Sequence, residues 1–261
     1  MAPSAISVEN VSFSYTQNGR TPPILQGISF ENAEGEFFCI LGPSGCGKST
    51  MLRLVAGFDM PTEGSVRVSG VPVAGPNVDR GVVFQGDDSL FTWMTARDNV
   101  AFGPRMRGIG RAKRQEQASR FMELVGLRGH EAKYPGELSG GMRQRIQIAR
   151  VLVNNPRILL MDEPFGALDA QTRSELQDEL TRIWMETKKT VMFITHDISE
   201  AILLADRVAV MRAGPAAGIR EIIDISIPRP RSRASAEFGA AYERINKLII
   251  DEVRQSRAIA A

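Results

Sequence analysis

The sequence has little of what exported, membrane-spanning or nucleic-acid-binding proteins need. Its 261 residues include only two cysteines, too few for the disulfide framework of a secreted domain. No apolar run approaches the roughly 18 residues of a spanning helix, and the start lacks the basic region and apolar core of a signal peptide. The net charge is only +2, without a basic stripe, so we expect no nucleic-acid partner. These absences predict a globular protein that is neither exported nor anchored by itself.

A glycine-rich segment lies between two apolar runs, at residues 37–41 and 51–56. It reads Gly42-Pro43-Ser44-Gly45-Cys46-Gly47-Lys48-Ser49-Thr50. The order of strand, glycine loop and helix matches the G-x-x-x-x-G-K-[ST] phosphate loop, and it disfavours a chance glycine turn. The glycines let successive N–H groups face one anion, and the helix adds its positive end. Lys48 then reaches the β- and γ-phosphates, and Ser49 offers its hydroxyl to Mg²⁺.

Polar residues follow three apolar runs that we interpret as buried strands. Gln85 follows the first, the Asp162-Glu163 pair ends the second, and His196 follows the third. Ligands of α/β sheets bind at the carboxyl ends of the strands, so we place these side chains on that edge. Adjacent carboxylates point in different directions, so Asp162 would hold Mg²⁺ while Glu163 faces the attacking water. For a glutamine or histidine taken alone, a structural role is the commoner alternative.

A second candidate anion site opens a helix in the middle of the chain. Leu138-Ser139-Gly140-Gly141 supplies a serine cap and two bare backbone amides at a helix N-terminus. The chain therefore carries two helix starts suited to phosphate. Their separation in sequence fits both a contact within one chain and a contact between two chains.

Two further features concern base stacking and a helix start. Tyr15 ends the first predicted strand, where an exposed ring can stack on a base; an ordinary edge-strand aromatic is an equal alternative. After His196, Asp197 is placed to cap a helix, and Glu200 three positions later predicts a capping box.

The pattern as a whole predicts an α/β protein with an insertion. Alternating segments near the N-terminus predict antiparallel strands, and helical spacing dominates from about residue 86 to residue 157. We therefore predict an ATP-binding core at 1–85 and 158–213, a helical insertion at 86–157 and a tail at 214–261. The tail carries a strand and an amphipathic helix, whose apolar face we expect to pack on the main body.

Taken in order, these motifs resemble the nucleotide-binding subunits of ATP-binding cassette transporters, and the likeness covers nearly the whole chain. The set comprises the glycine loop, Gln85, Leu138-Ser139-Gly140-Gly141-Met142-Arg143-Gln144-Arg145, Asp162-Glu163, Leu168-Asp169 and His196. The resemblance implies a P-loop NTPase (RecA-like) core with an antiparallel β subdomain and an inserted α-helical subdomain. It also implies ATP and Mg²⁺ as cofactors, bound between two subunits that dimerise head to tail.

The resemblance also implies a role for each motif residue. Nucleotide contacts fall to Tyr15, Gly42, Pro43, Ser44, Gly45, Cys46, Gly47, Lys48, Ser49 and Thr50, with the ring of Tyr15 on adenine. Contacts to the partner subunit's ATP fall to Leu138, Ser139, Gly140, Gly141 and Gln144, and the D-loop is Leu168 and Asp169. Metal contacts fall to Ser49, Gln85 and Asp162. Catalysis falls to Lys48, Gln85, Glu163 and His196, the last touching the γ-phosphate.

Finer features resemble the importer branch that handles nitrate, sulfonates, taurine and related small solutes. They are Leu90-Phe91-Thr92-Trp93-Met94-Thr95, Asp98-Asn99-Val100-Ala101-Phe102-Gly103, Tyr134-Pro135-Gly136-Glu137 and Pro228-Arg229-Pro230-Arg231. The branch usually has proline where this chain has Thr92, which concerns the loop near the membrane subunit and not the ATP chemistry. Too little chain follows His196 for the large regulatory domain of the family's sugar importers.

The expected function is therefore ATP hydrolysis that powers import of a small solute through a separate permease. Expected partners are a second ATP-binding subunit, identical to this one, two transmembrane permease subunits and, indirectly, an external solute-binding protein. We expect a peripheral location on the cytoplasmic face of the inner membrane. The alternatives are a soluble cassette ATPase of DNA repair or translation, and a kinase, although no acceptor site is visible. A non-catalytic binding module is disfavoured because every expected catalytic position is present.

Overall fold

The computed structural model describes residues 4–15, 23–86, 89–166, 168–212, 214 and 216–260. Contacts divide the chain into two compact units, one from residues 1–77 and 189–261 and the other from residues 78–188. These limits differ from the predicted domain limits, which stay a prediction. Among the described residues, no helix combines the length and the apolar character needed to cross a membrane.

The first unit contains an antiparallel sheet built from the N-terminal segments. Its strands, in spatial order, are β2 (Leu25–Ala33), β1 (Ser4–Phe13), β4 (Glu63–Val68) and β5 (Val71–Pro72). Val8 lies opposite Phe30 in the β1–β2 pair, and both side chains are buried. Successive side chains of a strand point to opposite faces, so the alternating apolar residues line one buried face. The predicted antiparallel strands of this region are present.

The first unit also contains the strand that leads into the glycine loop. β3 (Phe37–Leu41) runs parallel to β8 (Thr190–Thr195) on one side and to β9 (Arg207–Met211) on the other. β10 (Ile219–Asp224) pairs with β9 in the antiparallel direction. Every residue of β3 and β8 is buried, as expected of strands covered on both faces. Each fully buried large apolar side chain contributes roughly 1.5–3 kcal/mol, so this pair is a firm base for the loop.

Three helices complete the first unit. They are α1 (Lys48–Ala56), α7 (Ile198–Leu204) and α8 (Ala236–Ala260). α1 follows β3, α7 follows β8, and α8 contacts α7 and β9. Phe238 and Ile245 of α8 are buried, whereas Tyr242 is exposed, so only part of the predicted apolar stripe packs on the unit.

Two arginines of the tail hold the segment before α8 against the end of α7. Arg231 donates hydrogen bonds to the carbonyl oxygens of Ile202 and Ala205, and Arg229 donates to the Asp206 carboxylate. Cations at a helix C-terminus satisfy its last carbonyls and interact well with its dipole. Burial lowers the pKa of Arg231 to about 10, so the guanidinium stays protonated at neutral pH.

The second unit is mostly helical and holds two parallel strands. The strands are β6 (Arg80–Val83) and β7 (Ile158–Asp162). The helices are α2 (Ala96–Val100), α3 (Phe102–Met106), α4 (Arg111–Leu124), α5 (Gly140–Leu152) and α6 (Ala170–Thr187). α5 contacts α2, α4, α6 and β6, so it is the central helix of this unit. The helix predicted at 95–102 is two short helices, and those predicted near 111 and 140 are present.

Candidate nucleotide-binding and catalytic site

The glycine loop has the backbone that a phosphate cradle requires. Gly45 and Gly47 both adopt left-handed angles, with φ of 80° and 85°. Gly47 is the N-cap of α1 without a side-chain cap, and the first turn contains no acidic residue that would repel an anion. Lys48 is 4% exposed, and its Nζ donates to the carbonyl oxygens of Gly42 and Pro43, both at 2.9 Å. The loop therefore holds its lysine against its own backbone, beside the helix amides.

The described part of the first unit also places His196 beside this loop in the sheet. Leu41, the last residue of β3, is in register with Thr195, the last residue of β8. The glycine loop and His196 therefore leave neighbouring parallel strands at the same level. Both lie at the carboxyl ends of their strands, the edge at which α/β sheets bind ligands.

Asp197 caps α7 as predicted, but the expected capping box is wrong in its other half. The Asp197 Oδ1 accepts from the N–H groups of Ser199 at 2.7 Å and Glu200 at 3.2 Å. In a capping box, the Glu200 carboxylate would accept a hydrogen bond from the Asp197 N–H. That N–H donates instead to the Thr195 hydroxyl at 3.0 Å, and the hydroxyl donates to the Glu200 carboxylate at 2.6 Å. The buried position of Glu200 directs its carboxylate to the buried hydroxyl.

In the second unit, Gln85 and Glu163 meet at the ends of the paired strands. Val83 of β6 is in register with Met161 of β7, and each polar residue lies two positions further on. The Gln85 Nε2 donates to the Glu163 Oε2 at 3.4 Å. The sequence placed the two residues on one edge, and the structure brings their side chains into contact.

Glu163 has an unusual backbone conformation. Its φ is 42°, in the left-handed region that costs non-glycine residues of order 1–3 kcal/mol. Such strain persists only where the surroundings enforce it, and it clusters at functional sites. Asp162, the last residue of β7, is half-buried, as is Glu163.

The Leu138–Gly141 segment begins α5 in the way the sequence predicts. The exposed Ser139 is the N-cap, and its Oγ accepts from the Met142 N–H at 3.3 Å. Leu138 is buried, and Gly141 packs so closely on α6 that a Cβ there would lie 2.2 Å from the Thr172 Cγ2. Gln144 is 2% exposed, and its buried Nε2 has no hydrogen-bond partner among the described residues. The assignment of Gln144 to the partner's ATP stays a prediction.

Of the other predicted residues, Asp169 begins a helix and Tyr15 lies at the surface. Asp169 is the N-cap of α6, and the hydrogen bond from the Thr172 N–H lowers its carboxyl pKa. The buried Leu168 precedes it. Tyr15 is 64% exposed, and its ring packs edge-on against Phe13 at 4.9 Å between centroids. The exposed face of Tyr15 is compatible with stacking on a base.

Two side chains of α5 bind the segment after Gln85, a contact that the sequence did not predict. Gln147 Nε2 donates to the carbonyl oxygen of Gly86 at 2.6 Å, directly after Gln85. Arg150 donates to the carbonyl oxygen and the hydroxyl of Ser89, at 2.7 and 2.9 Å. Both side chains are one turn apart on α5. Their i, i+3 spacing is visible in the sequence, but nothing there identifies the segment that they bind.

The residues predicted to contact metal carry donor atoms that suit Mg²⁺. Ser49, Gln85 and Asp162 offer hydroxyl, amide and carboxylate oxygens, the donors that Mg²⁺ prefers. Within the described residues, no group of three or more His, Cys, Asp or Glu side chains lies close enough to hold a metal. Mg²⁺ needs no such group when it is bound through one or two protein oxygens together with phosphates and water.

Comparison with known proteins gives consistent results. The family model described as ABC transporter matches residues 25–166. The uncharacterized ABC transporter ATP-binding protein MJ0412 of Methanocaldococcus jannaschii is 50% identical, over 96% of this chain and 93% of that protein. The nitrate import ATP-binding protein NrtD of Synechococcus elongatus is 43% identical, over 95% and 94%. The taurine import ATP-binding protein TauB of Chromobacterium violaceum is 50% identical, over 81% and 80%.

A solved structure is also similar over most of the chain. It is the dimeric post-hydrolysis state of the ATP-binding cassette MJ0796 bound to ADP and phosphate. The TM-score is 0.74 at 30% sequence identity, and the match covers 85% of this chain and 100% of that chain.

Proposed function

This chain belongs to the ABC transporter family, and from that premise we propose that it is the ATP-hydrolysing subunit of an importer for a small solute. The observation that carries the proposal is the Gln85–Glu163 contact beside Asp162, with Glu163 in a left-handed conformation. The import role of the relatives argues against the alternative of a soluble ATPase in DNA repair.

ATP binding falls to the glycine loop and the start of α1. The backbone amides of the loop and of the N-terminus of α1 receive phosphate oxygens, which favours the triphosphate end of the nucleotide. The Lys48 ammonium moves from the loop carbonyls to the β- and γ-phosphates and keeps its hydrogen bonds filled. Tyr15 stacks on the adenine with its exposed face.

Hydrolysis falls to the residues that follow β6 and β7. Glu163 accepts a proton from the attacking water and aims the water at the γ-phosphorus, while Gln85 orients the carboxylate through the amide contact. Asp162, Ser49 and Gln85 would hold Mg²⁺, which supplies charge neutralisation for the phosphates. His196 donates to the γ-phosphate, and Ser139 with its helix amides stabilises the developing charge from a second subunit.

Replacing the proposed base tests this assignment. We expect Glu163→Gln to keep ATP affinity, to lower the hydrolysis rate at least about 100-fold, since general-base catalysis contributes 10²–10⁴-fold, and to accumulate an ATP-bound dimer. Size-exclusion chromatography with ATP and a phosphate-release assay measure the two effects. Asp178→Asn, which neutralises a carboxylate of α6 to which we assign no part in the chemistry, is the control. Turnover close to that of the wild type in Glu163→Gln would remove Glu163 from this role.

We propose that the subunit works in an assembly on the cytoplasmic face of the membrane. The import subunits among its relatives imply permease partners, and the dimeric structural neighbour supports pairing of two cassettes. The proposed assembly has two copies of this chain, two transmembrane permease subunits and an external solute-binding protein. Closure of the cassettes on ATP moves the permease subunits, and hydrolysis resets them.

The solute is proposed from the relatives' names as a small oxyanion or sulfonate, in the class of nitrate and taurine. Purification of the whole complex with its binding protein in lipid allows a direct measurement. We expect ATPase stimulation by nitrate or by taurine and other sulfonates, but not by both groups. Stimulation by neither group would overturn the solute class while leaving the ATPase assignment intact.

A further inference from the structure

Three residues around His196, namely Thr195, Asp197 and Glu200, form a hydrogen-bond network that holds its turn. The Thr195 hydroxyl, on the N-terminal side, donates to the Glu200 Oε2 at 2.6 Å and accepts from the Asp197 N–H at 3.0 Å. The Asp197 carboxylate completes the network by accepting a hydrogen bond from the N–H of Glu200 at 3.2 Å. The backbone on both sides of His196 is therefore tied to one buried hydroxyl.

Because this network is largely buried, each of its hydrogen bonds is costly to lose. Thr195 is 2% exposed and Glu200 is 5% exposed, whereas His196 between them is exposed. A buried carboxylate that loses a donor carries the full desolvation penalty of that group, whereas a surface bond is replaced by water. The buried residues Thr195 and Glu200 therefore fix the backbone beside the exposed His196.

The network also lies next to β3, the strand that leads into the glycine loop. Thr195 is in register with Leu41, the residue before Gly42. Burial, followed by the charge of Glu200, raises the pKa of the Cys39 thiol in that strand, while Lys48 acts in the opposite direction. The charge of Glu200 therefore acts on β3, the strand that leads into the glycine loop.

We propose that Thr195 and Glu200 are positioning residues for His196, holding its turn so that the imidazole meets the γ-phosphate of ATP bound at the glycine loop. This inference rests on the proposed function, in which His196 contacts that phosphate. The Thr195 hydroxyl is the necessary link, because it bonds both the Asp197 N–H and the Glu200 carboxylate. An acceptor oxygen at position 200 is sufficient, because the hydroxyl only needs somewhere to donate.

The ratio of ATP affinity to ADP affinity tests the inference, since ADP lacks the phosphate that His196 contacts. Equilibrium titration of the full chain with each nucleotide, with Mg²⁺ chelated to prevent hydrolysis, gives both dissociation constants. We expect Thr195→Val and Glu200→Ala to weaken ATP binding about three- to tenfold without changing ADP binding, the equivalent of one hydrogen bond. Thr195→Ser and Glu200→Gln keep the donor and the acceptor, so we expect the wild-type ratio.

A second background separates positioning from general stability. In His196→Ala, the further change Thr195→Val should leave the ATP to ADP ratio where His196→Ala alone puts it, since residues that act through one group are not additive. Equal weakening of ATP and ADP by Thr195→Val, together with a lower Tm, would show a structural role only and overturn the inference. Should His196→Ala lower the ratio while Thr195→Val does not, the inference fails and the proposed role of His196 stands. If His196→Ala leaves the ratio unchanged, the proposed γ-phosphate contact itself is wrong.

Discussion

Gly47, the residue before α1, is required both by its backbone angle and by its surroundings. Its φ is 85°, and a Cβ there would lie 2.5 Å from the Leu25 Cδ2. Gly45 adopts nearly the same angle, with φ of 80°, but a Cβ there would meet nothing within 4 Å. The two glycines therefore separate the cost of a left-handed angle from the cost of steric overlap.

We expect Gly45→Ala to lower the free energy of unfolding by about 1–2 kcal/mol, the cost of a left-handed angle for an L-residue. Gly47→Ala carries the same cost and also overlaps the buried Leu25 side chain, which adds about 1–3 kcal/mol. Urea unfolding of the two variants measures the difference between them. Equal losses would mean that Leu25 moves aside freely and that the backbone angle alone requires glycine.

At the scale of elements, α5 connects two of the site's segments within the second unit. Its N-terminus presents Ser139. About two and three turns later, Gln147 and Arg150 donate hydrogen bonds to Gly86 and Ser89, in the segment after Gln85. A shift of α5 is therefore transmitted to the segment after Gln85. α5 also packs closely on α6 at Gly141, where the absence of a side chain makes the approach possible.

We expect Gly141→Ala to destabilise the protein by about 1–3 kcal/mol, because its Cβ would overlap the Thr172 Cγ2 and push α5 from α6. Thr172→Ser removes that methyl group and keeps the hydroxyl, so the double variant should recover most of the loss. Chemical denaturation of the four proteins in this double-mutant cycle gives the coupling energy. Gly136→Ala, with nothing within 4 Å of the added atom, is the matched control. Additive effects of the two changes would contradict the contact.

At the scale of the whole molecule, the predicted site residues are divided between the two units. The first unit carries the glycine loop and His196, and the second carries Gln85, Glu163 and Ser139. The two helix starts suited to phosphate, at α1 and α5, therefore belong to different units. Under the proposed function, Ser139 of one subunit completes the site of the other.

Mixing two inactive variants tests that arrangement. We expect Ser139→Arg and Lys48→Ala each to abolish hydrolysis, while Ser139→Arg still binds ATP. A mixed dimer has one site with both defects and one site with neither. Equal mixing makes about half of the dimers mixed, so about a quarter of the wild-type activity should return, because composite sites draw on both subunits. Ser139→Thr, which keeps a capping hydroxyl, is the control. No recovery on mixing would place both helix starts on the same nucleotide within one chain.

Local chemistry let the sequence determine the family and most of the elements. The glycine loop, the apolar strands and the capped start of α5 depend on neighbouring residues, so a single sequence displays them. The P-loop NTPase fold, the ATPase activity and the import role that these motifs implied agree with the relatives and the structural neighbours. The capping box at Glu200 failed, since a buried threonine outside the motif competes for its carboxylate.

Only the tertiary structure decided the contacts between segments that are distant in sequence. Three hydrogen bonds each join residues more than 25 positions apart. They link Gln85 to Glu163, Gln147 to Gly86, and Arg231 to the end of α7. Such contacts depend on strand register and helix packing, which a pattern of residue types does not encode position by position. The sequence by itself determined the chemical groups of this ATPase, and the packing decided which of them hold one another in place.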